Sequence, residues 1–409
     1  ARLVQRGGGG GASVPRSPTQ VRRNRAAAQG IKTAGGLSEQ QAAAEGLPVS
    51  WGDKANVNDS LPALLPEQRD DVVQIEDRLI NQNQNGILVT NGTGTGKTYT
   101  ALGTMKRFVK AGRQNVLVVT MNDKIAKDFV KSSRHLGLNL VQLEGTKDNG
   151  GPVGQPRQVI TTYANFGQND ALGLIDWDLL VFDESHNLMQ GKQSDVTAAL
   201  SKMRALTGHH GGFDAWAYMR HGVNEPALNI DPKERTEEEQ ARVSAYWQRM
   251  APLREAWKQN WKAQGPGRAK VLFLSATPFA YAQTLDYAEG YLFHFEEPSA
   301  PEDPAKGMRY NSGGSREQFY ISNFGYRMRT NKLTQPDANV DVGMMERMFA
   351  DRMIKSGAMF GRQLTVPFDY DRKFIKVGAG IGQKIEEGLT FLSECNGQDG
   401  KPNLGRLSE

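Results

Sequence analysis

Gly86-Ile87-Leu88-Val89-Thr90-Asn91-Gly92-Thr93-Gly94-Thr95-Gly96-Lys97-Thr98 is the stretch on which the reading of this chain turns. The apolar run 86–90 predicts a buried strand, and 97–111 a helix. A strand, a glycine-rich loop and a helix N-terminus in that order make a phosphate cradle. Successive backbone N–H groups point inward and the helix end adds positive potential. Glycines let the backbone approach a phosphate without a side chain in the way. On this reading Gly92, Thr93, Gly94, Thr95 and Gly96 form the cradle, Lys97 reaches the β- and γ-phosphates, and Thr98 ligates Mg²⁺. The strict pattern has glycine where Asn91 stands.

The flanking pattern alternates. A helix is expected over 66–79, with Val72, Ile75 and Leu79 on one face, then strand 86–90 and helix 97–111. Strand 115–120, helix 123–136 and strands 158–162, 179–182 and 271–275 follow. Short apolar strands separated by helices predict an α/β fold with a parallel sheet covered by helices on both faces. Two of these strands end in chemistry. Leu179-Leu180-Val181-Phe182-Asp183-Glu184-Ser185-His186 places two adjacent carboxylates at a buried strand end, which is costly unless they bind something. Mg²⁺ on Asp183 answers that, and Glu184 then orients and deprotonates the attacking water. In Leu274-Ser275-Ala276-Thr277-Pro278, Ser275 and Thr277 are placed to hydrogen-bond the acidic motif and sense the γ-phosphate.

Together these residues resemble superfamily 2 helicases of the DEAD/DEAH type, with Asp-Glu-Ser-His as the variant. The resemblance implies a RecA-like P-loop NTPase lobe that uses ATP and Mg²⁺, with Lys97, Asp183 and Glu184 catalytic. Leu65-Pro66-Glu67-Gln68 resembles the upstream motif whose glutamine reads adenine, which falls on Gln68. Val118-Val119-Thr120 and Val159-Ile160-Thr161-Thr162-Tyr163 resemble nucleic-acid contact motifs, so Thr120, Thr161 and Thr162 are expected on phosphates, without sequence preference. The stretch 353–364, containing Gly361-Arg362-Gln363, resembles strawberry-notch-type helicases and the helicase half of phage DNA methylase–helicase proteins associated with antirestriction.

The expected organisation is a Gly/Ala/Arg-rich tail over 1–46 and a helicase lobe over 47–278, with an insertion at about 208–268. An α+β extension over 279–394 and a polar tail over 395–409 complete it. Leu253, Trp257 and Trp261 share one helix face in the insertion, read as packing of an inserted hairpin rather than a base-stacking surface. His209-His210 is not read as a metal motif. No second RecA-like lobe, arginine-finger motif or methyltransferase signature is found, so a second lobe in cis or in trans is an expected partner, with double-stranded DNA as the track. The composition is globular, 38% hydrophobic and 23% charged, and the net charge of +5 permits a polyanionic partner without demanding one. The single cysteine, Cys395, excludes a disulfide framework within the chain. No apolar run approaches the roughly 20 residues of a membrane helix, and no signal peptide is visible. The chain opens on Ala1 and closes on Leu407-Ser408-Glu409, with Leu392-Ser393-Glu394 nearby. This resembles cleavage by phage head-maturation proteases and sets the expected location in the host bacterial cytoplasm or the virion interior. Arbitrary boundaries within a longer protein are the other reading of these ends. Two functions stand open: a nucleic-acid-stimulated ATPase lobe of a translocase, or a structural ATP- or DNA-binding fragment with little turnover.

Overall fold

The computed structural model describes residues 2–5, 46–92, 94–152, 155–190, 195–222, 235–262, 269–276, 282–295, 315–329, 332–337, 339–362, 372–375 and 384. Seven strands make one parallel sheet: β1 (Gly86–Val89), β2 (Val116–Thr120), β3 (Val141–Gln142), β4 (Gln158–Thr162), β5 (Leu179–Asp183), β6 (Lys270–Leu274) and β7 (Met359–Phe360). Their order across the sheet is β7-β1-β6-β5-β2-β4-β3. Alternate residues of the central strands point to opposite faces, and both faces are apolar, as a parallel sheet with two helical covers requires.

Ile87, Val89, Val118, Val181 and Leu272 pack on one side with α1 (Lys54–Ser60), α2 (Pro66–Glu76), α3 (Lys97–Lys110) and α4 (Asp123–Arg134). Leu88, Val119, Phe182 and Phe273 pack on the other, where α5 (Tyr163–Gln168) contributes Phe166 and α6 (Ala198–Leu206) contributes Leu200 and Met203. α9 (Ser315–Phe324) and α10 (Val342–Lys355) cover this same face through Tyr320, Phe324, Phe349 and Met353. The predicted α/β class is the observed one.

Between β5 and β6 the chain builds α7 (Phe213–His221) and α8 (Glu237–Lys262). Phe213, Ala217, Tyr246 and Met250 form a small core of their own, with Trp216, Leu253 and Trp257 packed against it. The indole N–H of Trp257 donates to the His209 carbonyl at 2.8 Å. The side chain of Trp261 lies outside the described residues.

Residues Asn24–Leu364 form one compact unit, so the chain past 278 supplies α9, α10 and edge strand β7 to the same core. A second unit comprises Ala1–Arg23 and Thr365–Glu409. Its described part is an antiparallel pair, Arg2–Gln5 against Arg372–Ile375. Within the stretch read as an N-terminal tail, Arg2–Gln5 is thus a strand, and 6–45 lie outside the described residues. Leu392-Ser393-Glu394, Cys395 and the polar stretch to Glu409 lie outside them too.

Candidate nucleotide site

The three motifs meet because of strand register. Leu274 at the end of β6 is paired with Val89 at the end of β1 on one side and with Asp183 at the end of β5 on the other. The phosphate loop, the acidic pair and Ser275 therefore leave the sheet at one edge, side by side. In a parallel sheet this carboxyl-end edge is where ligands settle.

The loop is built tightly. Thr95 Oγ1 donates to the Gly92 carbonyl at 2.7 Å. Gly96 ends the loop at φ +85°, a left-handed conformation that caps α3 with no side-chain acceptor on its first N–H groups. Lys97 Nζ donates to the Asn91 carbonyl at 2.8 Å, folding the ammonium back over the loop. Thr98, half-buried in the first turn of α3, stands next to it. Thr93 lies outside the described residues. Gln68, at the third position of α2, accepts from the Leu65 N–H at 3.0 Å and donates to the Thr95 carbonyl at 3.4 Å. A Cβ placed on Gly96 would lie 2.1 Å from Gln68 Nε2. The glutamine therefore lies over the loop; the left-handed φ of +85° is what calls for glycine at 96, and a larger residue would also push the Gln68 amide aside.

Asp183 is largely buried, and its carboxyl is pushed up to about 6, chiefly by loss of water, then by neighbouring Glu184, with Lys97 pulling the other way. A bound divalent cation would reverse that balance, which makes this donor set fit Mg²⁺. Tyr163 donates its hydroxyl to the Asp183 carbonyl at 2.9 Å and fixes the strand end. Glu184 sits at φ +51°, ψ +57°, unusual for a non-glycine residue, and this turns the chain off β5 into the short 3₁₀ turn Ser185–Leu188. Its carboxylate accepts from Ser275 Oγ at 3.3 Å, and Ser275 Oγ is 3.1 Å from His186 Nδ1. Ser275, Glu184 and His186 thus form a small network, one part of which, His186, sequence reasoning had not singled out. Thr277 lies outside the described residues.

Asp71 escaped the sequence, and Arg362, quoted there only within a resembling stretch, has a partner the sequence does not show. Asp71 of α2, 1% exposed, accepts from Asn91 Nδ2 at 2.8 Å, from Thr100 Oγ1 at 3.1 Å and from Arg362 Nε at 3.0 Å, with Arg362 Nη2 on its second oxygen. Just beyond β7, Arg362 N donates to Asn91 Oδ1 at 2.8 Å and its carbonyl accepts from Gly92 N at 2.8 Å. The phosphate loop is thereby clamped from below by α2 and from the side by the chain after β7. Asn91 stands where the strict motif has glycine because its side chain is a structural bridge.

The residues expected on nucleic acid separate. Thr120 and Thr161, at the ends of β2 and β4, are buried. Thr120 Oγ1 faces the Asn122 and Thr161 carbonyls, and Thr161 Oγ1 accepts from Asn165 Nδ2 at 2.7 Å. Thr162 is half-buried and caps α5 by accepting from Asn165 N at 3.3 Å. Thr161 and Thr162 line, with Asp123, Thr146, Asn165 and Gln168, an open cavity of about 340 Å³ at the carboxyl-end edge of the sheet.

Residues 62–207, which hold the phosphate loop and the acidic pair, match the family described as "Type III restriction enzyme, res subunit". The match supports a superfamily 2 helicase-type reading of this segment. Domains of that type hydrolyse ATP and act on nucleic acid. No curated protein matches the chain. Two solved structures are similar in part. The Sulfolobus solfataricus SWI2/SNF2 ATPase core domain has TM-score 0.28 and 17% identity over 54% of this chain and 45% of that one. A truncated XPD has TM-score 0.27 and 13% identity over 53% of this chain and 97% of that one. The chain thus spans under half the length of the first. Among the described residues no helix is long and apolar enough to cross a membrane.

Proposed function

We propose that the chain is the ATP-binding and ATP-hydrolysing lobe of a DNA translocase that works against a second lobe, in cis or in trans. The observation that carries this reading is the register at Leu274, which gathers Lys97, Asp183, Glu184 and Ser275 at one sheet edge. Lys97 and the N–H groups of the loop hold the phosphates, and Thr98 and Asp183 hold Mg²⁺. When bound, the ion would offset the phosphate charge. Glu184, steadied by Ser275, orients the attacking water and takes its proton. Gln68 reaches adenine by letting go of the Thr95 carbonyl. Contact with a phosphate backbone falls to Thr162 and the cavity it lines, while Thr120 and Thr161 hold the strand ends in shape.

The finer assignment is to the phage-type methylase–helicase group, acting in the host bacterial cytoplasm. It rests on the stretch 353–364, whose Arg362 clamps the loop. Low turnover by this lobe alone is favoured by one observation: Arg362 and Arg352, the arginines beside that stretch, are engaged by Asp71 and Asn323 rather than offered to a phosphate.

Two substitutions test the reading. Lys97→Ala removes a charge-assisted phosphate contact worth about 1.5–3 kcal/mol and should weaken ATP–Mg²⁺ binding by at least tenfold. Glu184→Gln should leave binding nearly intact and remove hydrolysis, assayed with a second lobe supplied. Equal loss of binding and hydrolysis in Glu184→Gln would make Glu184 a ligand or folding residue instead.

A further inference from the structure

Resting on the reading of this edge as an ATP-hydrolysing site, we infer that Tyr163 and Tyr287 are positioning residues for hydrolysis. Their hydroxyls hold the chain on either side of Glu184 in the conformation that aims its carboxylate.

Glu184 needs holding. At φ +51° it lies in the left-handed region, which costs a residue with a side chain free energy and persists only where the surroundings impose it. The Glu184 carbonyl accepts from Asn187 N at 3.0 Å and from Asn187 Nδ2 at 2.7 Å. One residue earlier, the Asp183 carbonyl accepts from the Tyr163 hydroxyl at 2.9 Å. One residue later, Ser185 Oγ donates to the Tyr287 hydroxyl at 3.2 Å, and both of these residues are fully buried. The Asn187 contacts lie within the turn and travel with it. The two tyrosines come from elsewhere in the fold and tie the turn to the core.

What places the hydroxyls is an aromatic row on one face of the sheet. Between ring centres, Tyr163 lies 6.2 Å from Phe182, Phe182 lies 6.1 Å from Phe273, and Phe273 meets Tyr287 edge-on at 5.2 Å. Phe182 is the residue before Asp183, and Phe273 is followed by Leu274 and Ser275. The row therefore crosses the two strands that carry the acidic pair and Ser275, from α5 to the 3₁₀ segment Ala282–Ala288. A tyrosine ends it on each side. Ring contacts at these separations have preferred geometries, so each hydroxyl has little freedom to leave its partner.

Neither role shows in the motifs. Tyr163 follows Thr161-Thr162 in a stretch that resembles nucleic-acid contact motifs. Thr162, Ala164 and Asn165 do line the open cavity, but the Tyr163 hydroxyl reaches the acidic strand end instead. Tyr287 lies beyond the matched segment 62–207. Neither hydroxyl contributes to holding ATP, so losing one should fall on the chemical step, where the aim of Glu184 matters.

The test is single-turnover hydrolysis of ATP–Mg²⁺ with the full chain in excess, which reads even a slow chemical step, beside nucleotide affinity, urea midpoint and amide exchange. Tyr163→Phe and Tyr287→Phe keep the rings and remove only the hydroxyls. Each should slow hydrolysis of bound ATP about tenfold, while ATP–Mg²⁺ affinity stays within about twofold of the parent. Without nucleotide, the amides of 184–188 should exchange faster in both variants. Tyr320→Phe is the control: it removes another buried hydroxyl, bonded to Asp286 Oδ1 at 2.7 Å, and should lower the midpoint without slowing bound ATP. A parental rate or parental exchange at 184–188 in either tyrosine variant, or equal slowing in Tyr320→Phe, would overturn the inference. So would a fall in duplex-DNA affinity in Tyr163→Phe at an unchanged rate, which would place that tyrosine on nucleic acid. Glu184→Gln hydrolysing ATP as the parent does would fail the reading of the site itself, and the inference with it.

Discussion

Replacing Asp71 by alanine tests whether the clamp under the phosphate loop is what the contacts imply. The substitution leaves the Asn91 amide and the Thr100 hydroxyl, both fully buried, without their acceptor. Each orphaned neutral donor costs about 1–2 kcal/mol. The Arg362 side adds less, because its guanidinium is a third exposed and can turn to water. Relief from burying a carboxylate offsets part of the loss. The expected destabilisation is about 2–3 kcal/mol, which a domain of ordinary stability survives. Urea unfolding should show it as a lower midpoint at unchanged slope.

A purely structural defect would stop there. The Asn91 carbonyl also receives Lys97 Nζ, so freeing Asn91 should loosen the cradle. ATP–Mg²⁺ affinity is then expected to fall about tenfold, or about 1.4 kcal/mol, measured by fluorescent-nucleotide titration well below the unfolding midpoint. Arg362→Ala should act through the same carboxylate. The double variant should therefore be scarcely worse than Asp71→Ala alone, a coupling of roughly 1–2 kcal/mol. Additive losses, or an unchanged midpoint in Asp71→Ala, would refute the clamp. An unchanged nucleotide affinity in a destabilised Asp71→Ala would leave it a folding device without a part in the site.

Gly96→Ala should lower stability by about 1 kcal/mol or more and weaken nucleotide binding, and Gln68→Ala in the same chain should recover the steric part but not the backbone part. Equal losses with and without Gln68 would remove the glutamine from the loop. Asp183→Asn should stabilise the Mg²⁺-free chain by about 2 kcal/mol at neutral pH, because a carboxyl raised from 3.8 to about 6 is charged and buried there. The gain should vanish as pH falls through the window from about 6 to 3.8, where the native and then the unfolded carboxyl are protonated; a gain that persisted at low pH would point to packing instead. The chain by itself should release phosphate from ATP very slowly, since arginine fingers contribute about 10³–10⁵ in related hydrolases. Brisk, DNA-stimulated release would show that Arg352 or Arg362 leaves its present partner and acts across a neighbouring copy.

What could be read from the sequence was what is local in it. The cradle is contiguous, its glycines and Lys97 lie within six residues, and the short apolar runs and the 3.6-residue period around it gave the sheet and its helices with boundaries close to those observed. Thr120 and Thr161 are buried for a physical reason. In a parallel sheet covered on both faces, a strand-end hydroxyl meets protein whichever way it points, and only Thr162, which leaves the strand to cap α5, keeps solvent access. Edge strand β7, two residues long, is below any periodic signal.

The pairing of Asp71 with Arg362 spans 291 residues and is invisible to any window. Two departures had nevertheless marked it. Asn91 broke the glycine pattern, and 353–364 resembled a family motif without an assigned chemistry. A buried asparagine that bonds Asp71 with its amide and Arg362 N with its oxygen explains both at once. The irregular residue in the loop and the distant stretch are two halves of one contact. Variation at either position should therefore be tolerated only when the other half can still close it.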